Sequence, residues 1–338
     1  MTISIRRSLG LATLVAAGFV TLGAQEHPLV PDRPGSWSAP DVRAGGLPPD
    51  TRTAALAVAS QIVEIIKRMP AMAPANGFQV VQHTSVVVES ADGSDNPKSP
   101  KFVRIEVSAN LAPYERTTRG VEVNERDTAG SVTVVVNSLS YTGTMPMEWR
   151  DEQGYFIQDP EEPLETRHGF PVYQEGNLDK WLFMRRHDVP IVTPVARERY
   201  LRVAIARAQD EAARVEERRA KVPAGVPAAV IATIDEGLSH QKTRLANLQQ
   251  QLRSMTADER RAPAVIGTST GDEPVAFVGA GEGNTIVSFN PALMDPKLPP
   301  AAPQVISVRI TSNDDLFPGL GERLDQQLDW AALNKVVH

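Results

Sequence analysis

Apolar positions along the chain change period several times, and each change predicts a different element. Between 51 and 70, Leu56, Val58, Ala59, Ile62, Val63, Ile65 and Ile66 recur mostly at three- and four-residue spacing until Pro70 closes the run. That stripe predicts an amphipathic helix broad enough to lie on a sheet. Beyond it the period falls to two, in Val86 and Val88, then Val103, Ile105, Val107 and Ala109, then Val132, Val134 and Val136, with Arg104, Glu106 and Ser108 on the alternate positions. One apolar and one wetter face predict an antiparallel sheet. The segment 91–100 (ADGSDNPKSP) supplies turn residues for a hairpin connection. Shorter strand-like pieces follow at 155–157, 170–173 and 181–184, between loops rich in Pro, Gly and acids.

At Pro194 the helical period returns, with Leu201, Ile205, Ala208, Ala212 and Val215 in register. After the breaker VPAGVP (222–227), Ile231, Ile234, Leu238, Gln241, Leu245, Leu248, Leu252 and Met255 alternate by threes and fours. Two such stripes joined by a short turn predict an antiparallel helical hairpin, because each stripe can bury only against the other. At about 1.5 Å per residue each arm reaches roughly 40 Å. Strand patterns resume at 264–267, 274–279, 285–290 and 304–310, and a closing helix at 320–336 places Leu320, Leu324, Leu328 and Leu333 on one side. The fold class this predicts is α+β. An antiparallel β-rich domain (51–190 plus 262–338) carries N- and C-terminal helices, and a long antiparallel helical hairpin (191–261) is inserted into it.

The N-terminus adds an address. Arg6 and Arg7, an apolar stretch at 9–22 and Leu22-Gly23-Ala24 before Gln25 form an export signal at 1–24. The apolar stretch falls short of the roughly 20 residues a membrane span needs, so cleavage near Ala24 is expected rather than anchoring. The Arg pair leaves the general and the twin-arginine routes both open. Residues 25–50, dense in Pro, Gly, Ser and Asp and without apolar period, read as a disordered linker. The expected product is a soluble periplasmic or extracellular protein with no membrane span once the signal is gone.

Composition narrows the chemistry. The chain has 338 residues and no cysteine, which excludes disulfides, thiolate catalysis and cysteine metal sites even though an exported protein meets oxidising conditions. Loss of Arg6 and Arg7 with the signal moves the formal charge from −6 to −8. A mildly acidic protein is a poor partner for nucleic acid or anionic membranes.

Several motifs invite catalytic readings that their context does not carry. Gly267-Thr268-Ser269-Thr270-Gly271 matches a G-x-S-x-G nucleophile elbow, but a strand pattern follows instead of a helix, and the only later histidine is His338. Gly279-Ala280-Gly281-Glu282-Gly283 resembles a phosphate loop but leads into a strand, so it reads as a turn. Asp92-Gly93-Ser94-Asp95-Asn96 lacks the bidentate Glu of a calcium loop, and the acidic run at 159–165 reads as a solvated loop. No histidine pair has H-E-x-x-H spacing, so neither a metal nor a cofactor is expected. His83, on an apolar strand, reads as a satisfied core or sheet-face residue and His240 as a hairpin surface residue. The remaining catalytic candidates are His168 beside Arg167, and His187 beside Asp188, where histidine, arginine and carboxylate could form a general-base or anion site.

The first hairpin arm mixes Arg197, Arg199, Arg202, Arg207, Arg214, Arg218 and Arg219 with Glu198, Asp210, Glu211, Glu216 and Glu217, the signature of a face laced with ion pairs. Such a face suits a protein partner or self-association. Gln241 interrupts the apolar seam, a position where polar residues set register or oligomer state. The stretch 181–200, with Val192-Thr193-Pro194-Val195 and Arg197-Glu198-Arg199-Tyr200-Leu201, together with Phe289-Asn290-Pro291, Leu298-Pro299 and Gln304-Val305-Ile306, resembles a pattern in uncharacterised exported bacterial proteins. The resemblance implies export, and that the β-rich part and hairpin form one unit; it implies no activity. The resulting expectation is a binding or scaffolding protein of the cell envelope, with two alternatives: a hydrolase of envelope or environmental polymers using His168, His187 and nearby carboxylates, or a small-ligand or metal carrier.

Overall fold

The structure is a computed structural model describing residues 29–337 apart from 73–75, 91–100, 125–127, 140–145, 152–153, 159–162, 176–178, 187–188, 224, 268–272 and 314–316. The expected export signal and the turn at 92–96 lie outside these residues. Strands β1 (Ser36–Trp37) and β2 (Asp41–Arg43) precede helix α1 (Pro49–Lys67). Then come β3 (Phe78–Ser90), β4 (Lys101–Thr117), β5 (Gly120–Val123), β6 (Gly130–Val136), β7 (Pro146–Asp151), β8 (Gly154–Gln158), β9 (Glu165–Arg167), β10 (Phe170–Glu175), β11 (Asp179–Arg185) and β12 (Val192–Pro194). Helices α2 (Arg197–Ala220), α3 (Ala228–Ser254) and α4 (Ala257–Arg261) interrupt the strands, which resume as β13 (Val265–Ile266), β14 (Asn284–Phe289) and β15 (Val305–Ser312) before α5 (Leu320–Gln327) and α6 (Trp330–Asn334).

This is the predicted α+β fold, with the strands divided between two sheets. The large sheet runs β1-β3-β4-β6-β15-β11-β10-β9, with β2 also on β3 and β5 on β4; the small one runs β12-β14-β8-β7, with β13 on β14. β15 lies in the middle of the large sheet, antiparallel to β6 on one side and β11 on the other, so the sheet is assembled from chain on both sides of the hairpin. Register explains the core. Ile105 faces Val136 and Val136 faces Ile306, while Val107, Val134 and Val308 form the next row, so the alternating apolar residues of three strands stack on one face. Onto that face α1 presses Ala55, Ala59, Ile62 and Ile66, all buried, with the two alanines letting the helix backbone come close to the strands. At Gly130 a Cβ would stand 3.1 Å from Leu320 Cδ2 and from the Thr311 carbonyl oxygen and 3.2 Å from Leu324 Cδ1, so glycine there eases the approach of α5 to β6.

Three segments depart from the expectations drawn from periodicity. Part of the 25–50 stretch is extended but paired: Ser36 and Trp37 align with Gln79 and Val80, and Asp41 to Arg43 with His83 to Ser85, both in parallel. Trp37 Nε1 also donates to the Met72 carbonyl at 3.1 Å. Edge strands of two or three residues are held by their partner and need no period of their own. The strand expected at 274–279 forms only an isolated bridge between Phe277 and Ile266, because Gln251 of α3 takes both backbone groups of Val275, donating to its carbonyl at 2.7 Å and accepting from its N–H at 3.0 Å. The closing helix is broken. Leu328 leaves the helical conformation and Asp329 starts α6, accepting from the Ala332 N–H at 2.9 Å. Leu320, Leu324, Leu328 and Leu333 are nevertheless all buried.

The hairpin begins and ends at one point of the small sheet. Val195 donates to the Ile286 carbonyl and Ala264 to the Val195 carbonyl, each at 2.8 Å, so the entering and leaving chains are neighbours, as an insertion requires. Arg199 anchors its base with a bidentate pair to Asp151 (2.6 and 2.8 Å) and a 3.0 Å bond to Ser288. Tyr200 packs with Phe156 and Phe277, while Leu201, Ala204, Ala208 and Leu248 close the lower seam. Beyond Ala212 on α2, and before Leu248 on α3, no described residue of either helix is buried. Replacing 213–243 by a short Gly-Ser turn should therefore leave one cooperative thermal transition with a Tm near that of the intact chain. Loss of the transition by calorimetry would show the distal arm to be part of the core.

Candidate functional site

The predicted pair Arg167 and His168 sits where the β9–β10 hairpin turns under the C-terminal helices. Arg167 faces Phe170 across a two-residue loop, His168-Gly169, whose φ values of 52° and 85° are both positive. That is the twist a tight hairpin needs, and Gly169 supplies half of it without strain. The turn delivers the imidazole to α5, where His168 Nε2 lies 3.2 Å from Asp325 Oδ2. The ring stacks on Trp330 with centroids 4.7 Å apart and planes at 19°. Trp330 Nε1 in turn donates to the Asp325 carbonyl at 2.9 Å, which ties the broken end of α5 to α6. Arg167 approaches Asp325 from the other side at 3.7 Å and also pairs with Glu165.

The structure thus brings Arg167 and His168 to a carboxylate, but to one that sequence reasoning did not single out. Asp325 lies 157 residues further on, in a polar stretch of α5 that looks like any solvated helix face. The other predicted pair, His187 and Asp188, lies outside the described residues, as do Ser269 and most of the acidic run at 159–165. The Gly279–Gly283 segment is the expected turn: Glu282 donates its N–H to the Gly279 carbonyl and accepts the Gly279 N–H on its side chain.

Behind the Arg167–Asp325 pair is a partly enclosed pocket of about 140 Å³, lined by Arg167, Val172, Lys180, Leu182, Val308, Ile310, Asp325 and Trp330. Its floor is aliphatic sheet and its rim is charged. None of these side chains is a hydroxyl nucleophile, so the arrangement offers binding contacts and a hydrogen-bonded His–Asp pair but no nucleophile–base unit.

The opposite face of the large sheet carries a second polar group. Arg104 pairs with Glu106 on its own strand and stands 3.6 Å from Glu89 across the β3–β4 ladder. Burial raises the Glu89 carboxyl above the usual glutamate range against the opposing charge of Arg104. Six residues earlier on β3, His83 satisfies Asp41 at 3.3 Å, and this bond, with a second from Arg43, lowers the Asp41 carboxyl. His83 is thus the sheet-face residue its position suggested. Among the described residues, no group of three or more His, Asp and Glu side chains could hold a metal ion, and no helix is long and apolar enough to cross a membrane.

No protein-family model matches the chain, and neither a curated protein nor a solved structure is similar to it. The functional reading therefore rests on the geometry above.

A raised carboxyl makes the folded state bind a proton more tightly than the unfolded chain, so its contribution to stability falls as pH rises through its titration range. The Tm advantage of Glu89→Gln over the parent should accordingly be smallest near about pH 4 and larger at neutral pH. Parallel melts across that range check it; an advantage that shrank with rising pH would contradict the assignment.

Proposed function

We propose that this chain is an exported cell-envelope protein that works by binding or scaffolding, with the helical hairpin as its contact arm for a protein partner or a second copy. The observation that carries this reading is the open distal seam. Ile231, Ile234, Leu238 and Leu245 face the partner helix yet are only half-buried, and Val230 at the tip is exposed. Ion pairs rather than apolar contacts hold the distal half together: Arg219 with Asp235 at 2.6 Å, Lys242 with Glu216 at 2.7 Å, and Arg244 with Glu211 at 3.8 Å. Exposed pairs of this kind contribute little stability, which supports reading the distal arm as a contact surface rather than as part of the folding core. The Arg6-Arg7 start and the apolar stretch at 9–22 support export, and the absence of cysteine is compatible with an oxidising compartment.

Gln241 is the residue to test. Its Oε1 is buried in the seam without a hydrogen-bond partner, a state that costs about 1–3 kcal/mol. Gln241→Leu should raise Tm, and if the seam is shared between chains it should also change the oligomer distribution seen by light scattering at tens of micromolar. Monomers in both proteins would remove self-association and leave a heterologous partner. An arm-less chain lacking 213–243 that kept every partner of the intact protein would overturn the reading.

The second reading, a polymer hydrolase, is favoured by the His168–Asp325 pair. Alanine at both His168 and His187 distinguishes the two: a hydrolase would lose turnover in a protein that still melts cooperatively, whereas a scaffold would keep its binding.

A further inference from the structure

The pocket under α6 is independent of the hairpin, and one of its charged side chains has no ion-pair partner among the described residues. Asp325 is engaged by His168 and Arg167, and Arg167 by Asp325 and Glu165, so these groups largely neutralise one another. Lys180 is different. It lies on β11 two positions before Leu182, on the sheet face that looks toward α5 and α6; its side chain is exposed, and it has no ion-pair partner among the described residues. Lys180 thus places a cation at the rim of a pocket floored by Val172, Leu182, Val308 and Ile310, with no ion pair to any described residue.

The opening has a structural cause. The break at Leu328 and Asp329 interrupts the helical cover, and Ile310 beneath it is only half-buried while Val308, one row inward, is fully buried. A mere packing fault would be lined by apolar atoms alone. Here Lys180, Arg167, Asp325 and Trp330 line it together with the aliphatic floor.

We propose that this pocket binds a small organic carboxylate with a short aliphatic or single-ring body, the carboxylate meeting Lys180 and the body resting on Val172, Leu182, Ile310 and Trp330. Size sets the class. At about 140 Å³ the pocket holds the volume of four to five waters at about 30 Å³ each, well below the roughly 300 Å³ at which drug-sized ligands begin. Sign sets the head group, since Asp325 already faces His168 and Arg167 whereas Lys180 has no ion pair among the described residues. Ligands this small bind weakly, so affinity in the millimolar range is expected.

The test uses the chain from Gln25 onward with hexanoate and phenylacetate as probes, and 1-hexanol and hexylammonium as neutral and cationic controls. Both carboxylates should raise Tm saturably and give a matching calorimetric isotherm. Lys180→Glu, at an exposed position that does not disturb the core, should weaken hexanoate by about tenfold or more. Ile310→Trp, which fills the cavity from its half-buried edge, should abolish binding. Three results would overturn the proposal: no saturable shift at tens of millimolar, equal binding of hexylammonium or 1-hexanol, or hexanoate binding unchanged in both variants.

Discussion

The position of β15 is the constraint on which the rest of the structure depends. A strand drawn from the last tenth of the chain fills the centre of the large sheet, with Val305 to Arg185 on one edge and Ile306 to Val136 on the other. Until it is in place, β6 and β11 are open edges and the rows of Val, Ile and Leu that meet α1 have a gap. The chain downstream of the hairpin is thereby tied into the sheet built upstream of it. Such long-range pairing is entropically expensive to establish and, once made, hard to lose piecemeal.

A buried polar knot fixes where β15 begins. Asn137, in the left-handed conformation at the end of β6, donates to the carbonyls of Val103 and Ala302 and accepts from the Gln304 N–H at 2.9 Å. The Gln304 side chain then accepts the Asp295 N–H and donates to its carbonyl. These bonds satisfy backbone groups that would otherwise be buried without partners where the chain leaves one strand and enters the next. Against the same corner pack Phe102, Phe183, Leu293 and Met294, so the second face of the sheet is covered at this end and polar toward Arg104 and Glu89.

Both the hairpin and the pocket follow from how these sheets end. The small sheet supplies a collar in which Val195 and Ala264 are hydrogen-bonded neighbours, so a long helical pair can be inserted without disturbing the strand order. The pocket lies where α5 ends at Leu328 and α6 restarts at Asp329, whose side chain accepts the Ala332 N–H. His168 and Trp330 bridge that interruption by stacking, and Asp325 receives both the imidazole and the guanidinium beside it. Structural continuity and an open, charged rim are thus produced by the same few residues.

The sequence by itself determined the periodic elements. The helical stripe ending near Ile66, the alternation from Val103 to Ala109, and the seam from Ile231 to Met255 are each dictated by which side chains must leave water, and each is present with that face turned inward or into the hairpin seam. Arg167 and His168 could be named because their types carry chemistry. Asp325 could not, since its role comes from a contact across 157 residues and leaves no local mark. Only the tertiary structure decided the division into two sheets, the parallel docking of 36–37 and 41–43 on β3, and the diversion of Val275 from a strand to Gln251. Periodicity reports how one segment divides between water and core, whereas these outcomes depend on which distant backbone group is free to pair.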